Sequence, residues 1–189
     1  MTHLDIHTRT GWWPSDVETL LAEYPREAWP DHPHFAQSIR NWMGAHLGFR
    51  QLGELVRLDT EAYLGKARAP EDYGARLGYF GNLMVRNLHG HHTWEDRSFF
   101  PEIQDVDDRF ATGLETLESD HDALDEILER ITGQANRVIK LIQLDEPQAR
   151  EEAKTLRDTA AEIEGFLARH LEDEEDLIVP ILLHHKMRG

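Results

Sequence analysis

The sequence predicts an all-α protein, an antiparallel up-down four-helix bundle with a short N-terminal extension. Three observations predict it. Four stretches carry apolar residues at alternating steps of three and four, the spacing that lines the buried face of a helix in a bundle. Proline, glycine and acidic turn residues separate these stretches, so neighbouring helices are joined by short connections. No run of two-residue alternation competes with them as a strand.

Residues 1–31 form the extension and 32–189 the bundle domain. The extension holds Trp12, Trp13 and Trp29 together with Pro14, Pro25 and Pro30, and His3 and His7 have the spacing of a weak metal-binding pair. Ser15-Asp16-Val17-Glu18 reads as a capping box, which predicts a short helix over about Asp16 to Tyr24. The first long helix is expected to start near Asp31-His32-Pro33, with proline in its first turn and His32 and His34 at its start. Its seam runs through Phe35, Ile39, Trp42, His46, Phe49, Gly53 and Val56, and Gly65 to Pro70 breaks it. The second seam runs Leu77, Gly81, Met84, Leu88, His91 and Glu95, and Pro101 is expected to end or bend that helix. The third runs from Leu114 through Leu117, His121, Leu124 and Leu128 to Ile142, and stops at Asp145-Glu146-Pro147. The fourth runs Leu156, Ala160, Ile163, Leu167, His170, Glu174, Leu177 and Ile181, after which His184 and His185 are expected to fray.

Polar residues interrupt these seams. His91 to Pro101 and His170 to Pro180 share a skeleton of His, three residues, Glu, an acid, apolar residues, and Pro ten positions after the His. The two copies align without a gap, which marks an internal repeat. His and Glu four residues apart project from one face of a helix. With His46 on the first helix and His121 on the third, every helix contributes a polar group to its buried seam.

The six residues also share a height. His46 lies 21 residues before a turn near Ala67 and His91 lies 24 after it, while His121 lies 25 before a turn near Glu146 and His170 lies 24 after it. At about 1.5 Å per residue these differences are a turn or less. One buried histidine is ordinarily a hydrogen-bonded core residue. Burying six such groups in one layer costs several kcal/mol each unless they are paired or bind metal. Six ligands exceed one tetrahedral zinc and suit two ions of iron, manganese or zinc. If both glutamates bridge, each ion receives two His nitrogens and two carboxylate oxygens, and a solvent-derived bridge still leaves a position open. Asp125, one turn after His121, and Glu175, beside Glu174, are candidate supporting groups or extra ligands, and Glu175 replaces Glu174 if its helix is locally over- or underwound. His92 and Asp96 lie one step off the seam and read as surface groups or as hydrogen-bond partners of the ligands.

Charge and composition exclude several classes. The 189 residues carry a net charge of −16, from 36 acids and 20 bases, so nucleic acid and anionic membrane are poor partners while cations are attracted. Cysteine is absent, which removes disulfides, thiolate metal sites and thiol catalysis and points to a reducing, cytoplasmic location. The N-terminus shows no signal peptide, and no stretch approaches the roughly 18 apolar residues of a membrane span.

The two His-x-x-x-Glu motifs running to proline, each preceded by a lone histidine, resemble the hemerythrin-like (HHE cation-binding) family over about residues 32–184. The resemblance implies a four-helix bundle with two iron ions joined by an oxo or hydroxo bridge, and His46, His91, Glu95, His121, His170 and Glu174 as iron ligands. The spacing is similar to that of the metal domain of di-iron iron–sulfur-cluster repair proteins, although the Cys-containing N-terminal domain typical of those has no counterpart here. Oxygen-carrying hemerythrins bring a second histidine one turn along the third helix. That position is Asp125 here, or Leu117 if His121 fills the later slot, so a more oxygen-rich site is expected. The implied function is binding or sensing of O2, NO or peroxide. The alternative is a di-iron redox enzyme or a cluster-repair or iron-donating factor. Enzymatic chemistry needs a proton donor, and no Tyr or Lys falls on the seams at that layer.

Overall fold

A computed structural model describes residues 13–188, so His3, His7 and Trp12 lie outside the described residues. Among the described residues the chain is helical and contains no strand. The α-helices are α1 (Ser15–Glu23), α2 (Gln37–Leu64), α3 (Pro70–Arg76), α4 (Asn82–Trp94), α5 (Phe100–Val106), α6 (Ala111–Leu144) and α7 (Glu146–His184). Short 3-10 turns fill Arg26–Asp31 and Asp108–Phe110.

Several boundaries differ from the expectation, each for a local reason. Ser15 does not cap α1 with its side chain. Pro14 occupies the capping position, and Ser15 is already the first helical residue. The first long helix begins at Gln37, not near Asp31. Pro33 disfavours helical backbone at the preceding residue, and His32 accordingly closes the 3-10 turn in an extended conformation (φ −71°, ψ 133°). The Gly65-to-Pro70 break holds, with Lys66 in the left-handed region at φ 62°. The Asp145 boundary also holds: its carboxylate accepts from the Gln148 N–H at 3.2 Å, as an N-terminal cap does.

Pro101 neither ends nor sharply stops its helix. The backbone stays helical from Pro70 to Val106 because two wider π turns, Leu77–Gly81 and Glu95–Phe99, join α3 to α4 and α4 to α5. Pro101 sits in the first turn of α5, where the lack of an N–H costs least. The second π turn starts at Glu95. Such turns inside helices are frequent at functional sites.

The chain divides into two compact units. The first takes the described residues through Leu47, then His92–His121, then the described residues from Ala168 on. The second takes Gly48–His91 and Asp122–Leu167. The boundaries fall inside α2, α4, α6 and α7, so each unit is built from stretches of the same long helices.

The first unit's core packs Ile39 and Trp42 of α2, Phe100 and Ile103 of α5, Leu114 and Leu117 of α6, and Leu177 to Leu183 of α7. Val17, Leu20 and Trp29 of the N-terminal segment belong to the same core. Each such apolar side chain contributes about 1.5–3 kcal/mol by leaving water, so this segment is docked by burial. In the second unit Tyr63 and Tyr73 stack at 4.4 Å between ring centroids, and the Thr60 and Tyr73 hydroxyls are 3.0 Å apart. Arg76 and Arg68 pair with the buried Asp59 at 2.7 and 2.9 Å. Gly53 lets α2 approach Leu167 and Ile163 of α7, which lie 3.6 and 4.0 Å from where its Cβ would be.

His184 and His185 both find partners in the structure. The Tyr24 hydroxyl meets His184 Nδ1 at 3.2 Å, and His185 Nε2 meets Asp107 Oδ2 at 2.8 Å. Both partners come from distant parts of the chain, which periodicity at the end of a helix cannot reveal.

Candidate metal centre

Two groups of potential ligands form on α2, the α4–α5 stretch, α6 and α7. The first is His46, Glu95 and Glu174, joined by His91 from one helical turn before Glu95. The second is His92, His121 and His170. Within each group the donor atoms lie within 4.8 Å of one another. His46, Glu95, His170 and Glu174 are fully buried, His121 and His92 nearly so, and His91 is partly buried.

Each long helix places its donor through its own seam. On α2, Trp42 precedes His46 by one turn. Its ring lies 4.3 Å from the imidazole and its Nε1 donates to Glu95 Oε1 at 2.7 Å. His91 rests edge-on against Phe49 at 4.9 Å. On α6, His121 stacks face to face on His92 at 4.0 Å with the rings 9° from parallel, and lies 4.9 Å from His170.

Three of the histidines are oriented by carboxylates. His46 Nδ1 lies 3.0 Å from Glu175 Oε1, His121 Nδ1 lies 2.6 Å from Asp96 Oδ1, and His170 Nδ1 lies 3.2 Å from Asp120 Oδ2. An ionised carboxylate can only accept, so Nδ1 carries the proton in each ring and Nε2 keeps its lone pair. His46 Nε2 then lies 3.4 Å from Glu174 Oε2, and His121 Nε2 lies 3.8 Å from Glu95 Oε2. Metal-binding histidines are ordinarily held in this way, since the carboxylate fixes the tautomer and makes the free nitrogen a better ligand.

The electrostatics of the protein without metal are costly. Glu174 is pushed well above the usual carboxylate range by burial, then by the nearby charges of Glu95, Glu175 and Asp96. Burial pulls His170 down to about 4, against the pull of Asp120. His121 Nε2 is buried and makes no hydrogen bond among the described residues. Neutral imidazoles and carboxylates facing a shared space are what a divalent cation requires, and its charge would lower a carboxylate's pKa again. The residues therefore fit bound metal.

The structure bears on the sequence reading at four residues, and at Asp96 and Glu175 it selects between roles already open to them. His92 is not a surface group: at 3 % exposure it stacks on His121 and joins the second donor group. Asp96 holds His121 and is only half-buried. Asp125 is in neither donor group; its side chain is partly exposed and lies 3.5 Å from the exposed His89. Glu175 stands behind His46 while Glu174 faces the donor group. The signal for His92 was its place beside His91. Adjacent helical positions differ by about 100°, so one helix can present donors to two sides of a bundle interior. The repeat hid this, because the second copy has Leu171 at that position.

Trp42 also lines an apolar recess of about 150 Å³ with Ile39, Trp94, Phe99 and Leu182. With these donors in place, the comparison with known families is decisive: the hemerythrin HHE cation-binding domain matches residues 37–182. The chain belongs to the hemerythrin HHE family. No curated protein and no solved structure matches it. Hemerythrin-family membership together with the two His and Glu groups makes it a metal-binding protein with a helical bundle fold. Residues 13–36 precede the matched domain, so the first helix and Arg26–Asp31 are additions to it.

Proposed function

We propose that this hemerythrin-family protein binds two iron ions in an antiparallel four-helix bundle and uses them to bind or sense a small oxidant or diatomic molecule, O2, NO or peroxide. His46 and His91 would hold one ion and His92, His121 and His170 the other, with Glu95 and Glu174 supplying the carboxylates. One observation carries this reading: seven donors in two groups, three of whose imidazoles are turned by Glu175, Asp96 and Asp120 so that Nε2 faces inward.

Iron at such a centre supplies redox chemistry and Lewis acidity. The chain's own residues do the rest. Trp42 fixes the Glu95 carboxylate through Oε1. Phe49 packs on His91 and Phe100 on His121, and such apolar surface excludes water and strengthens the charge interactions beside it. The donor count is unequal, with two imidazoles on the His46 side and three on the other. An ion that prefers six ligands would therefore receive fewer imidazoles from this chain on the His46 side.

Anaerobic iron loading followed by metal analysis is expected to give about two iron ions per chain. Exposure to oxygen should then develop near-ultraviolet charge-transfer absorption, and His170→Ala should abolish it. Less than about one iron per chain, or a colourless loaded protein after oxygen, NO and peroxide, overturns the reading.

A further inference from the structure

Arg26 lies in the 3-10 turn Arg26–Asp31, outside the matched family domain. All three of its guanidinium nitrogens are committed to α7. Nη1 donates to Glu175 Oε2 at 2.8 Å, Nε to Asp176 Oδ1 at 2.5 Å, and Nη2 to the Glu172 carbonyl at 2.8 Å. The guanidinium also sits 4.9 Å from the ring of Trp29, which is buried and donates through Nε1 to the Tyr24 carbonyl at 2.7 Å. The turn is thus anchored by burial and presents one rigid, planar cation.

Glu175 is the link inward. Its Oε2 takes the Arg26 bond, and its Oε1 meets His46 Nδ1 at 3.0 Å. His46 Nε2 belongs to the first donor group and lies 3.4 Å from Glu174 Oε2. A carboxylate held at one oxygen by a planar fork keeps one orientation, so its other oxygen stays aimed at the imidazole. A lysine in place of Arg26 offers charge without the fork and restores only part of this.

We propose that Arg26 is a positioning residue for the metal centre: through Glu175 it holds His46 in the tautomer and orientation that present Nε2 to the metal. The segment preceding the family domain is thereby a part of the centre and not a passive cover. The proposal rests on the metal-binding reading above, and its test separates the two.

The test uses the full chain with Arg26→Ala, Arg26→Lys and, as control, Asp176→Asn, which removes the neighbouring ion pair and leaves the Arg26–Glu175 contact. Two quantities are measured. One is the tautomer of His46 in metal-free protein, from the nitrogen shifts of ¹⁵N-histidine-labelled samples. The other is the rate at which a chromogenic chelator removes iron(II), with zinc(II) as a redox-silent repeat. Arg26→Ala is expected to mix the His46 tautomers and speed metal loss about tenfold, in the range found when groups behind a ligand are removed. Arg26→Lys should recover part of both, and Asp176→Asn should match the parent. Unchanged His46 shifts and metal release in Arg26→Ala overturn the proposal. So does an equal loss in Asp176→Asn, which would mean that the segment acts only by being docked. Should Arg26→Ala fail to fold, Arg26→Lys against Asp176→Asn decides by the same two readouts. A parent protein that takes up no metal defeats the functional reading instead, independently of what Arg26→Ala does to His46.

Discussion

At the scale of single residues, the sequence exposed the centre through misplaced polarity. His46, Glu95, His121, His170 and Glu174 stand at core positions of helical seams, and the structure buries all of them. Burial without partners is too costly to be incidental, so polarity on a seam is a physical signal and not only a pattern. Asp96 takes the second of the two roles the sequence leaves open to it, while Asp120 is illegible as a support because its partner comes from another helix. Asp120 even precedes His121 in sequence yet bonds His170. His92 lies one step off the seam and has no counterpart in the second copy of the repeat, so periodicity alone does not mark it as a donor. Its place in the second donor group makes its removal consequential. His92→Ala should weaken metal retention by about one to two orders of magnitude, the usual range for losing a donor's support or more. It should also alter the near-ultraviolet absorption of the iron-loaded protein. Full retention of metal and spectrum in that variant would return His92 to the surface role the sequence suggested.

At the scale of elements, seams of three and four residues located the long helices, and glycine and proline located two of the breaks. The π turns escaped that reading because periodicity at 3.6 residues per turn tolerates one wider turn without losing its apolar side. Glu95–Phe99 is the consequential one, since it carries Glu95 at its start and lets Pro101 pass inside the helix. The connection after α5 was also expected only as a turn. Asp107 there accepts from Arg109 Nε and Nη2 at 2.8 and 2.6 Å and from His185 at 2.8 Å, tying the connection to the chain's last turn. These bonds, Arg109 first, hold the Asp107 carboxyl well below the usual range. A carboxyl depressed in the folded state contributes stability above its unfolded pKa, near 4, and loses it as pH falls through the folded value. Asp107→Asn should therefore cost about 1.5–3 kcal/mol at neutral pH, the range for hydrogen bonds to charged groups. The gap between parent and variant should close only below about pH 4. Denaturant unfolding of metal-free protein at pH 7 and pH 3 measures this, and a gap that is constant across that range contradicts the assignment.

At the scale of the whole molecule, fold class was the most legible property, because bundle helices announce themselves by period and loop signals. The tryptophans and prolines of the N-terminal segment suggest a segment that packs its aromatics on the end or side of the main domain, but not which residues do so. Val17, Leu20 and Trp29 enter the core of the first unit although no repeat or motif links them to it. None of the described helices is long and apolar enough to cross a membrane. The net charge of −16 gives the molecule a long-range attraction for cations. Capture of divalent metal should consequently slow as salt rises from about 10 mM to 0.15 M, where the screening length falls from about 30 to 8 Å. The bound state should be insensitive to salt by comparison, since its charges are buried. Metal at about one hundred times its dissociation constant should stabilise the fold by about 2.7 kcal/mol. Calorimetry with and without a chelator reads that gain, and an unchanged unfolding midpoint would mean that the buried donors hold no ion.

The contact of Trp42 with Glu95 has an optical consequence. An indole that donates its N–H to a carboxylate at 2.7 Å, with an imidazole 4.3 Å from its ring, is close enough to be quenched by an absorbing ion that those two groups would hold. Iron absorbs where indole emits, so occupancy of the centre would darken Trp42 before the other tryptophans. The protein thus carries its own lamp beside the candidate site, and a Trp42→Phe variant identifies its share of the light.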